Sequence, residues 1–496
     1  MKKVRPIALL LALIMAFCAF GTTLASAEAA PEIKDVIVDL FTYMDIPDDT
    51  AALEAINEIM HPLGVNVKFE WTTSKQYWQD VPLKIASNTP VDLITITDYR
   101  IPGFLSNGSL MKIDDLFAEY GKDIPGAFGE EYGWLLDATM TTNGRYYLPT
   151  LQQKFANIYA LFNKEYVDKY NIDLSAIKSY KDLDPIFELI HEKEPGLKVL
   201  IPATTSFACF NSTMLGVDSF EGMGDAIGCL LGDDGNFNVI DIYETEEYAN
   251  MLNDIRAWYE KGYISTDVLT AGENVDTYWK TGNAFCCIRQ HDALNADIHA
   301  AAATGQYGTE TLSVPLGAQN CIFLRYQNAI PVTAQNPEGA MIFLNQLYTN
   351  PDLINAMYHG KKDVDWFIND DGLLEYKPDS SYANNTSGGV MQHFGNFFLA
   401  TDLATTYKGY SADLEAAMAK ANRQRSLGFM FETDNVAVQY TAVKNVIEEY
   451  KGLEYGTMDP AVELPNFIQK LKNAGIDDII AEKQQQLNAW VAAQGK

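Results

Sequence analysis

The feature that most constrains the fold is a regular alternation of strand and helix patterns over residues 34–100. Strand patterns at 34–41, 65–71 and 91–96 are separated by amphipathic helix patterns at 48–60 and 77–86. Two parallel strands need a long crossover, usually a helix, between them. This β-α-β-α-β order therefore predicts an α/β fold built on a parallel sheet, whose ligands bind beyond the carboxyl ends of the strands.

Three polar or aromatic residues follow the predicted strand ends directly. Tyr43 lies just past the first strand, and Asp98 and Tyr99 lie just past the third. We expect these side chains at the binding edge of the sheet; the alternatives are loop packing or, for Asp98, a helix N-cap. Trp78, in the helix after the second strand, is a further candidate, with burial against the sheet as its alternative.

Motifs of several enzyme classes are missing from the sequence. No Gly-x-Gly-x-x-Gly follows the first strand, no Gly-x-Ser-x-Gly occurs, and the six histidines include no His-x-x-x-His pair. Dinucleotide enzymes, α/β-hydrolases and zinc hydrolases are disfavoured, and we predict neither a cofactor nor a metal site. The net charge of -30 argues against a nucleic-acid partner, since phosphate binding needs clustered Lys and Arg.

The N-terminus has the pattern of an export signal. Lys2, Lys3 and Arg5 precede an apolar run at 7–20, and Ala25-Ser26-Ala27 has the small-x-small pattern of a cleavage site. We predict a signal peptide over residues 1–27 and an extracellular or cell-surface location. Because the bulky Phe17 precedes Cys18, the site fits a lipidation motif poorly. A lipid anchor at Cys18 and release of the free protein both stay open.

The cysteines show no disulfide framework. Cys209, Cys229, Cys286, Cys287 and Cys321 remain after the signal, with no Cys-x-x-Cys pair. We expect buried small hydrophobes, with one disulfide whose pairing stays open.

Later segments predict helices and one acidic loop. Helix patterns cover 179–194, 246–261, 337–348 and 467–490, the last broken at Gly475, and residues 363–371 predict a surface loop.

Four segments in order resemble a known family. They are Ile85-Ala86-Ser87-Asn88-Thr89-Pro90-Val91-Asp92-Leu93-Ile94, Gly108-Ser109-Leu110-Met111-Lys112-Ile113-Asp114-Asp115-Leu116, Asn143-Gly144-Arg145-Tyr146-Tyr147-Leu148-Pro149 and Thr281-Gly282-Asn283-Ala284-Phe285. They are similar to segments of the extracellular solute-binding proteins of ABC importers, in particular the oligosaccharide-binding group of Gram-positive bacteria. The resemblance covers nearly the whole chain after the signal.

The C-terminus resembles a narrower group. Three segments are similar to the C-terminal domain of unknown function in the LipO-type subfamily. They are Ser426-Leu427-Gly428-Phe429-Met430-Phe431, Lys470-Leu471-Lys472-Asn473-Ala474-Gly475-Ile476-Asp477 and Glu482-Lys483-Gln484-Gln485-Gln486-Leu487-Asn488-Ala489-Trp490.

The resemblance implies a periplasmic-binding-protein-like fold of two α/β lobes with a hinge between them. Lobe 1 is expected to hold 34–152 plus about 328–358, and lobe 2 to hold 153–327 plus about 359–496. The implied function is capture of a carbohydrate, an oligosaccharide, in the cleft between the lobes by hinge closure. The implied partner is the permease of an ABC transporter, and the protein is expected to be a monomer without enzymatic activity.

Sugar binding uses aromatic faces and planar hydrogen-bonding groups, which suggests further candidates. The sequence has 27 Tyr and 7 Trp, although most aromatic residues of any protein serve packing. By position near the hinge, near strand ends or in loops, we select Asn157, Tyr159, Trp279, Arg289, His291, Asp365, Trp366 and Asn396.

Three alternatives stay open. One is a binding protein for peptides or other polar solutes, and the others are a secreted glycoside hydrolase and an adhesin without a transporter. A hydrolase needs a pair of carboxylates at a defined separation, and 66 acidic residues make chance pairs uninformative.

Overall fold

A computed structural model describes the chain over residues 32–42, 45–97, 100–141, 143–202, 217–218, 226–231, 235–266, 268–269, 282–291, 311–316, 320–321, 326–385, 393–423 and 425–493. The predicted signal at 1–27 lies outside these residues. No helix in this described part is both long and apolar enough to cross a membrane.

The fold combines helices with short strands in several sheets. The strands are β1 Lys34–Thr42, β2 Val65–Thr73, β3 Ile94–Thr97, β4 Tyr147–Pro149, β5 Phe155–Asn163, β6 Lys198–Pro202, β7 Val217–Asp218, β8 Leu230–Leu231, β9 Ala284–His291, β10 Thr311–Pro315, β11 Asn320–Cys321, β12 Tyr326–Ala329, β13 Trp366–Ile368, β14 Leu374–Tyr376 and β15 Asn422–Arg423. The helices are α1 Thr50–Met60, α2 Ser74–Ala86, α3 Ile101–Ser106, α4 Asp114–Tyr120, α5 Ile124–Ala138, α6 Lys164–Tyr170, α7 Asp184–Lys193, α8 Glu246–Glu260, α9 Pro337–Thr349, α10 Pro351–His359, α11 Tyr410–Lys420, α12 Ala437–Glu449, α13 Pro460–Ala474 and α14 Ile476–Ala493.

The N-terminal strands form the predicted parallel arrangement. β1 pairs in parallel with β2 along its whole length, and a bridge from Val38 to Leu93 joins β1 to the strand that becomes β3. β12 returns from far along the chain and lies antiparallel between β3 and β4. Because β12 runs against β3, its first residue Tyr326 pairs with Thr97, the last residue of β3.

A first hydrophobic core covers this sheet and extends beyond the expected lobe boundary. It unites Val36, Leu40 and Leu148 with α9 and α10, and also with Phe394, Tyr410 and Leu414. The expected division assigned everything after residue 358 to the second lobe. In the structure, apolar residues after 358 and as far as Met418 pack with the first core instead. The chain passes to the second core between Met418 and Phe429.

A second core surrounds the sheet β15-β11-β5-β9-β6, with β10 also paired to β5. Ile158, Ala160 and Phe162 of β5 point into this core with the period of a strand. The C-terminal helices α12 to α14 contribute Val443, Leu471 and Ile479 to the same core. Cys229 and Cys286 are buried in it as expected of small hydrophobes, and burial raises the pKa of the Cys286 thiol.

Most predicted elements appear with boundaries shifted by a few residues. β1, β2 and β3 end at Thr42, Thr73 and Thr97, and Gly475 separates α13 from α14 at a backbone φ of 95°. The loop predicted at 363–371 is wrong in part, because β13 and β14 form a hairpin there. The helix predicted from residue 179 begins instead as a 3-10 turn, which is followed by α7. Pro185 lies in the first turn of α7, a position that favours proline.

The C-terminal helix α14 carries a lysine that is completely buried. The Lys483 ammonium donates to the carbonyls of Ile227 and Gly228, the latter at 3.0 Å, and lies 4.8 Å from the centre of the Phe431 ring. Gln484, the next residue, accepts from the Val239 N–H and donates to the Phe237 carbonyl. These contacts attach α14 to a backbone segment more than 200 residues away in sequence.

Replacing Lys483 by methionine should lower the free energy of unfolding by about 2 kcal/mol, because the two buried carbonyls lose their donor. Chemical denaturation followed by circular dichroism measures this change. The control is Lys470→Met, which removes a largely exposed ion pair with Glu449 and should cost less than about 1 kcal/mol. Equal losses in both variants would contradict the role given to Lys483.

His359 at the end of α10 is buried in the first core. Its Nδ1 lies 2.5 Å from the Tyr376 hydroxyl, and burial lowers the pKa of the imidazole to about 3. Between this value and the ordinary value of about 6.5 the unfolded chain binds the proton and the native chain does not. Acidification through this range therefore destabilises the fold.

We expect wild type to lose about 2 kcal/mol more stability than His359→Gln when the pH falls from 7 to 5. Asp241, whose pKa burial raises to about 6, titrates in this range with the opposite sign. The quantity to measure is therefore the difference between the two proteins in denaturant titrations at each pH. Substitution of the exposed His61 serves as the control. If the stability of His359→Gln depended on pH in the same way as that of wild type, the prediction would be refuted.

Candidate functional site

An aromatic cluster lies at the carboxyl ends of β1 and β3. Phe41 of β1 stacks on His393 with ring centres 4.1 Å apart, and Tyr326 approaches His393 edge-on at 4.4 Å. Tyr77 and Trp78 of α2 lie 4.7 Å and 5.1 Å from Phe41. We call these five residues the aromatic cluster; it occupies the edge where ligands of α/β sheets bind.

Trp78 is the half-buried member of the aromatic cluster, while the other four residues are buried. The Arg100 guanidinium lies 4.6 Å from the centre of the Trp78 ring. An aromatic surface and a planar group of N–H donors therefore stand side by side, with part of the indole still exposed to solvent. Such a pair can offer a ligand both an apolar face and hydrogen-bond donors.

Buried polar groups adjoin the aromatic cluster through Tyr326. The Tyr326 carbonyl accepts from the Thr150 hydroxyl at 3.0 Å, and this hydroxyl in turn accepts from Gln152 and Lys154, both at 3.1 Å. Lys154 is fully buried, so its ammonium is held within the segment that leads from β4 to β5.

Within the part of the chain that the structure describes, Thr97 Oγ1, Gln152 Oε1 and Gln153 Oε1 have no hydrogen-bond partner, and these residues are less than 10% exposed. A buried polar atom without a partner costs free energy, which a ligand hydroxyl would recover by donating to it.

Buried hydrogen bonds attach the segment that contains His393 to the sheet. The His393 carbonyl accepts from the Thr95 hydroxyl and the Asn328 amide, both at 2.7 Å. The Tyr77 hydroxyl bonds to the backbone of Thr95, and burial raises the pKa of this phenol, which stays neutral. The aromatic cluster is thus held by a buried network rather than by loop packing alone.

Several predicted site residues lie outside the described residues. These are Tyr43, Asp98, Tyr99 and Trp279. Their flanking residues are placed: Thr42 and Thr97 end the strands that lead to the first three, at the edge of the aromatic cluster. Of the sequence candidates, the structure brings Trp78 into the aromatic cluster itself.

The second-lobe candidates share one strand pair. β5 and β9 are antiparallel, with Asn157 opposite His291 and Tyr159 opposite Arg289. Tyr159 is buried in a small cluster with Leu161, Ile201, Ala284 and Cys287, so its ring serves packing in this arrangement. Asn157 lies four residues after Gln153 along the chain.

Asp365, Trp366 and Asn396 have structural contacts instead. Trp366, expected as an exposed stacking platform, is buried, and its indole N–H donates to the Gly360 carbonyl at 2.9 Å because it lies in the hairpin. The Asp365 carboxylate accepts from the Lys361 N–H at 2.8 Å. The Asn396 side chain caps a short 3-10 helix at Phe398, while its neighbour His393 enters the aromatic cluster.

Sequence reasoning missed Phe41, Tyr326, Arg100, Gln152 and Gln153. Phe41 lies in the strand itself, and Arg100 directly follows the candidates at 98–99. The positional argument therefore selected residues close to both of them but not these two. Tyr326 had no local signal, because it reaches the site through the antiparallel return of β12.

No group of three or more His, Cys, Asp or Glu in the described ranges has an arrangement that could hold a metal ion.

Comparison with known proteins places the chain in a family. The bacterial extracellular solute-binding protein family matches residues 51–353, and a domain of unknown function, DUF3502, matches residues 425–492. With its periplasmic-binding-protein-like α/β fold, the chain belongs to the bacterial extracellular solute-binding proteins. Members of this family are transport components rather than enzymes, which agrees with the prediction of a binding protein.

Relatives extend the match over nearly the whole chain. A carbohydrate ABC transporter substrate-binding protein of Streptococcus pneumoniae serotype 4 (strain ATCC BAA-334 / TIGR4) is 24% identical, covering 97% of this chain and 96% of its own. The crystal structure of the N-glycan transport solute binding protein NgtS from Streptococcus pneumoniae has a TM-score of 0.79 at 20% identity, covering 93% of this chain and 99% of that chain. The same protein in complex with Man5GlcNAc has a TM-score of 0.63 at 21% identity, covering 92% and 99%. An HMO-binding solute binding protein from Bifidobacterium longum infantis ATCC 15697 has a TM-score of 0.66 at 12% identity, covering 93% and 99%.

Proposed function

We propose that this protein is the extracellular substrate-binding component of an ABC importer for a carbohydrate, specifically an oligosaccharide. The observation that carries the proposal is the half-buried Trp78 with Arg100 over its ring, beside the unpartnered oxygens of Thr97 and Gln152. The curated relative and the structural neighbours, whose names refer to carbohydrates, support the same ligand class.

The chemistry of this site matches a neutral sugar. The C–H face of a pyranose packs on an aromatic ring, while its hydroxyls donate to acceptors and accept from donors such as guanidinium N–H groups. Thr97, Gln152 and Gln153 supply acceptors, and Arg100 supplies donors. Apolar surface and hydrogen-bonding groups are therefore available within one edge of the sheet.

Capture uses closure of two lobes about the crossing segments. We place in lobe 1 the residues of the first core, about 34–152 and 326–418, and in lobe 2 the second core, about 153–321 and 429–493. The core membership of the C-terminal residues supports this revised division. A ligand that contacts both lobes binds the closed form more tightly than the open form. This difference in binding free energy stabilises the closed form.

Residues from both lobes are proposed to complete the site. From lobe 1 these are Tyr43, Asp98 and Tyr99, which follow strands that end beside the aromatic cluster. From lobe 2 they are Trp279, on its sequence position, and Asn157, Arg289 and His291, for which the antiparallel pairing of β5 and β9 gives positional support.

Export and delivery follow from the same proposal. Residues 1–27 act as the signal, the mature protein works outside the cell as a monomer, and the closed form docks on a permease. The basic, apolar and small-residue order of the N-terminus supports export. The poor fit of Phe17-Cys18 to a lipidation motif favours a protein without a lipid anchor at that position.

A thermal-shift screen tests the ligand class. The panel contains Man5GlcNAc, kestose, an alginate oligosaccharide and a set of short peptides. A ligand present at 100 times its Kd should stabilise the native state by about 2.7 kcal/mol and raise Tm by several degrees. Shifts with peptides and none with any oligosaccharide would overturn the proposal, and hydrolysis of an oligosaccharide by pure protein would contradict a pure binding role.

A further inference from the structure

The segment from Arg423 to Phe431 contacts the hydrophobic cores of both lobes. Leu427 packs on the first core, Phe429 and Phe431 are buried in the second, and Met430 packs on the apolar cluster that contains Phe41, Tyr77 and Tyr326. Residues 425–428 form a turn, with the Phe429 N–H donating to the Ser426 carbonyl at 2.8 Å, and this turn directs neighbouring side chains to different cores. We call Arg423 and residues 425–431 the strap; residues 425–431 belong to the domain of unknown function.

Two arginines at the start of the strap reach opposite lobes. The Arg423 guanidinium lies 4.3 Å from the centre of the Trp134 ring on α5, and α5 packs in the first core. Arg425 donates to the Leu231 carbonyl at 3.2 Å, at the end of β8 beside the second core. The two arginines therefore contact opposite lobes, as the apolar residues of the strap do.

The strap passes close to α5 at Gly428. This residue has a φ of +93°, and an added Cβ would meet the Ala138 Cβ and carbonyl oxygen at 3.3 Å. Just past the strap, Glu432 exchanges two backbone hydrogen bonds of 2.8 Å with the Gln486 side chain, which ties the strap to α14. The C-terminal end of the strap is therefore bound to the second lobe, whereas Arg423, Leu427 and Met430 contact the first lobe.

The whole-chain superposition on NgtS differs among three crystal structures of that protein. The TM-score is 0.79 for the NgtS structure whose name includes no glycan, and 0.68 and 0.63 for the complexes with Man1GlcNAc and Man5GlcNAc. The present structure therefore differs more from the two glycan complexes.

We infer that the strap, and with it the domain of unknown function, sets the equilibrium between lobe arrangements. The contacts of Arg423 with Trp134 and of Met430 with the first-lobe cluster stabilise the arrangement observed here. A contact made in only one of two states shifts the population toward that state and lowers the apparent affinity of a ligand that needs the other. The inference rests on the proposed function only where it concerns ligand affinity.

The test compares the double variant Arg423→Ala/Met430→Ala with the control Arg256→Ala/Met458→Ala. The control removes an arginine that lies over Tyr259 and a half-buried methionine, but both of its sites pack within the second core. Small-angle scattering without ligand measures the radius of gyration, and calorimetric titration measures Kd for whichever oligosaccharide of the panel shifts Tm most.

We expect the strap variant to be more compact than wild type without ligand and to bind at least about 3-fold more tightly, with the control unchanged in both. An unchanged radius of gyration, or weaker binding, overturns the role of the strap. If no oligosaccharide binds wild type, the ligand proposal fails, and the scattering comparison still decides the inference. Melting curves of both double variants verify that each is folded.

Discussion

Replacing Asp92 by alanine should lower the free energy of unfolding by about 4 kcal/mol, the largest stability effect we expect from one substitution. Asp92 is buried and accepts from three backbone N–H groups, those of Ile37 at 2.8 Å, Gln335 at 2.7 Å and Asn336 at 2.8 Å. Alanine would leave all three donors without this acceptor. Because they belong to β1 and to the start of α9, the loss loosens two elements at once.

Denaturant titration of wild type and two control variants measures this effect. Asp92→Asn keeps one acceptor oxygen and should lose about half as much stability. Asp114→Ala removes a partly exposed carboxylate that accepts from one backbone N–H, that of Arg145, and should cost about 1 kcal/mol. A loss below about 1.5 kcal/mol for Asp92→Ala would show that the backbone donors find other partners.

Replacing Trp78 by alanine should weaken oligosaccharide binding about 50-fold, which corresponds to about 2.3 kcal/mol. Trp78 is the partly exposed member of the aromatic cluster and supports Arg100, so the substitution removes an apolar surface and releases a donor group. Phe41 keeps its ring contacts with Tyr77, Tyr326 and His393 in this variant. Calorimetric titration with the strongest oligosaccharide from the thermal-shift panel measures the loss.

The control for Trp78 is Trp258→Phe. Trp258 lies in the second core, where its ring centre is 5.2 Å from that of Phe187. We expect this control to lose stability while keeping its affinity. Equal affinities for wild type and Trp78→Ala would remove Trp78 from the site, whereas equal losses in both tryptophan variants would point to a general effect on folding.

Local patterns were enough for the strands and helices of the N-terminal region. Period-two and helical spacing located β1, β2 and α1 within a few residues, and Gly475 marked the break between α13 and α14. The predicted loop at 363–371 failed for a local reason. β13 and β14 are three residues long each, and so short an alternation is hard to distinguish from a loop.

The candidate site was only partly predictable. Strand order indicated Trp78 and the edge of the sheet at which the aromatic cluster lies, because residues past parallel strands share one edge. Tyr326 and His393 come from segments more than 200 residues further along the chain, and their positions depend on the antiparallel pairing of β12 and on hydrogen bonds to Thr95 and Asn328. Trp366 shows the converse: its loop-like sequence suggested exposure, and tertiary packing buried it.

By itself, the sequence determined the α/β class, the family resemblance and the edge of the sheet at which the aromatic cluster lies. Each of these depends on short-range periodicity or on contiguous motifs, which act over a few residues. Only the tertiary structure decided the division of the C-terminal half between two cores and the assembly of the aromatic cluster. It also decided the path of the strap from Arg423 to Phe431. These features depend on which distant segments bury one another, and many pairings of apolar segments are compatible with the same local pattern.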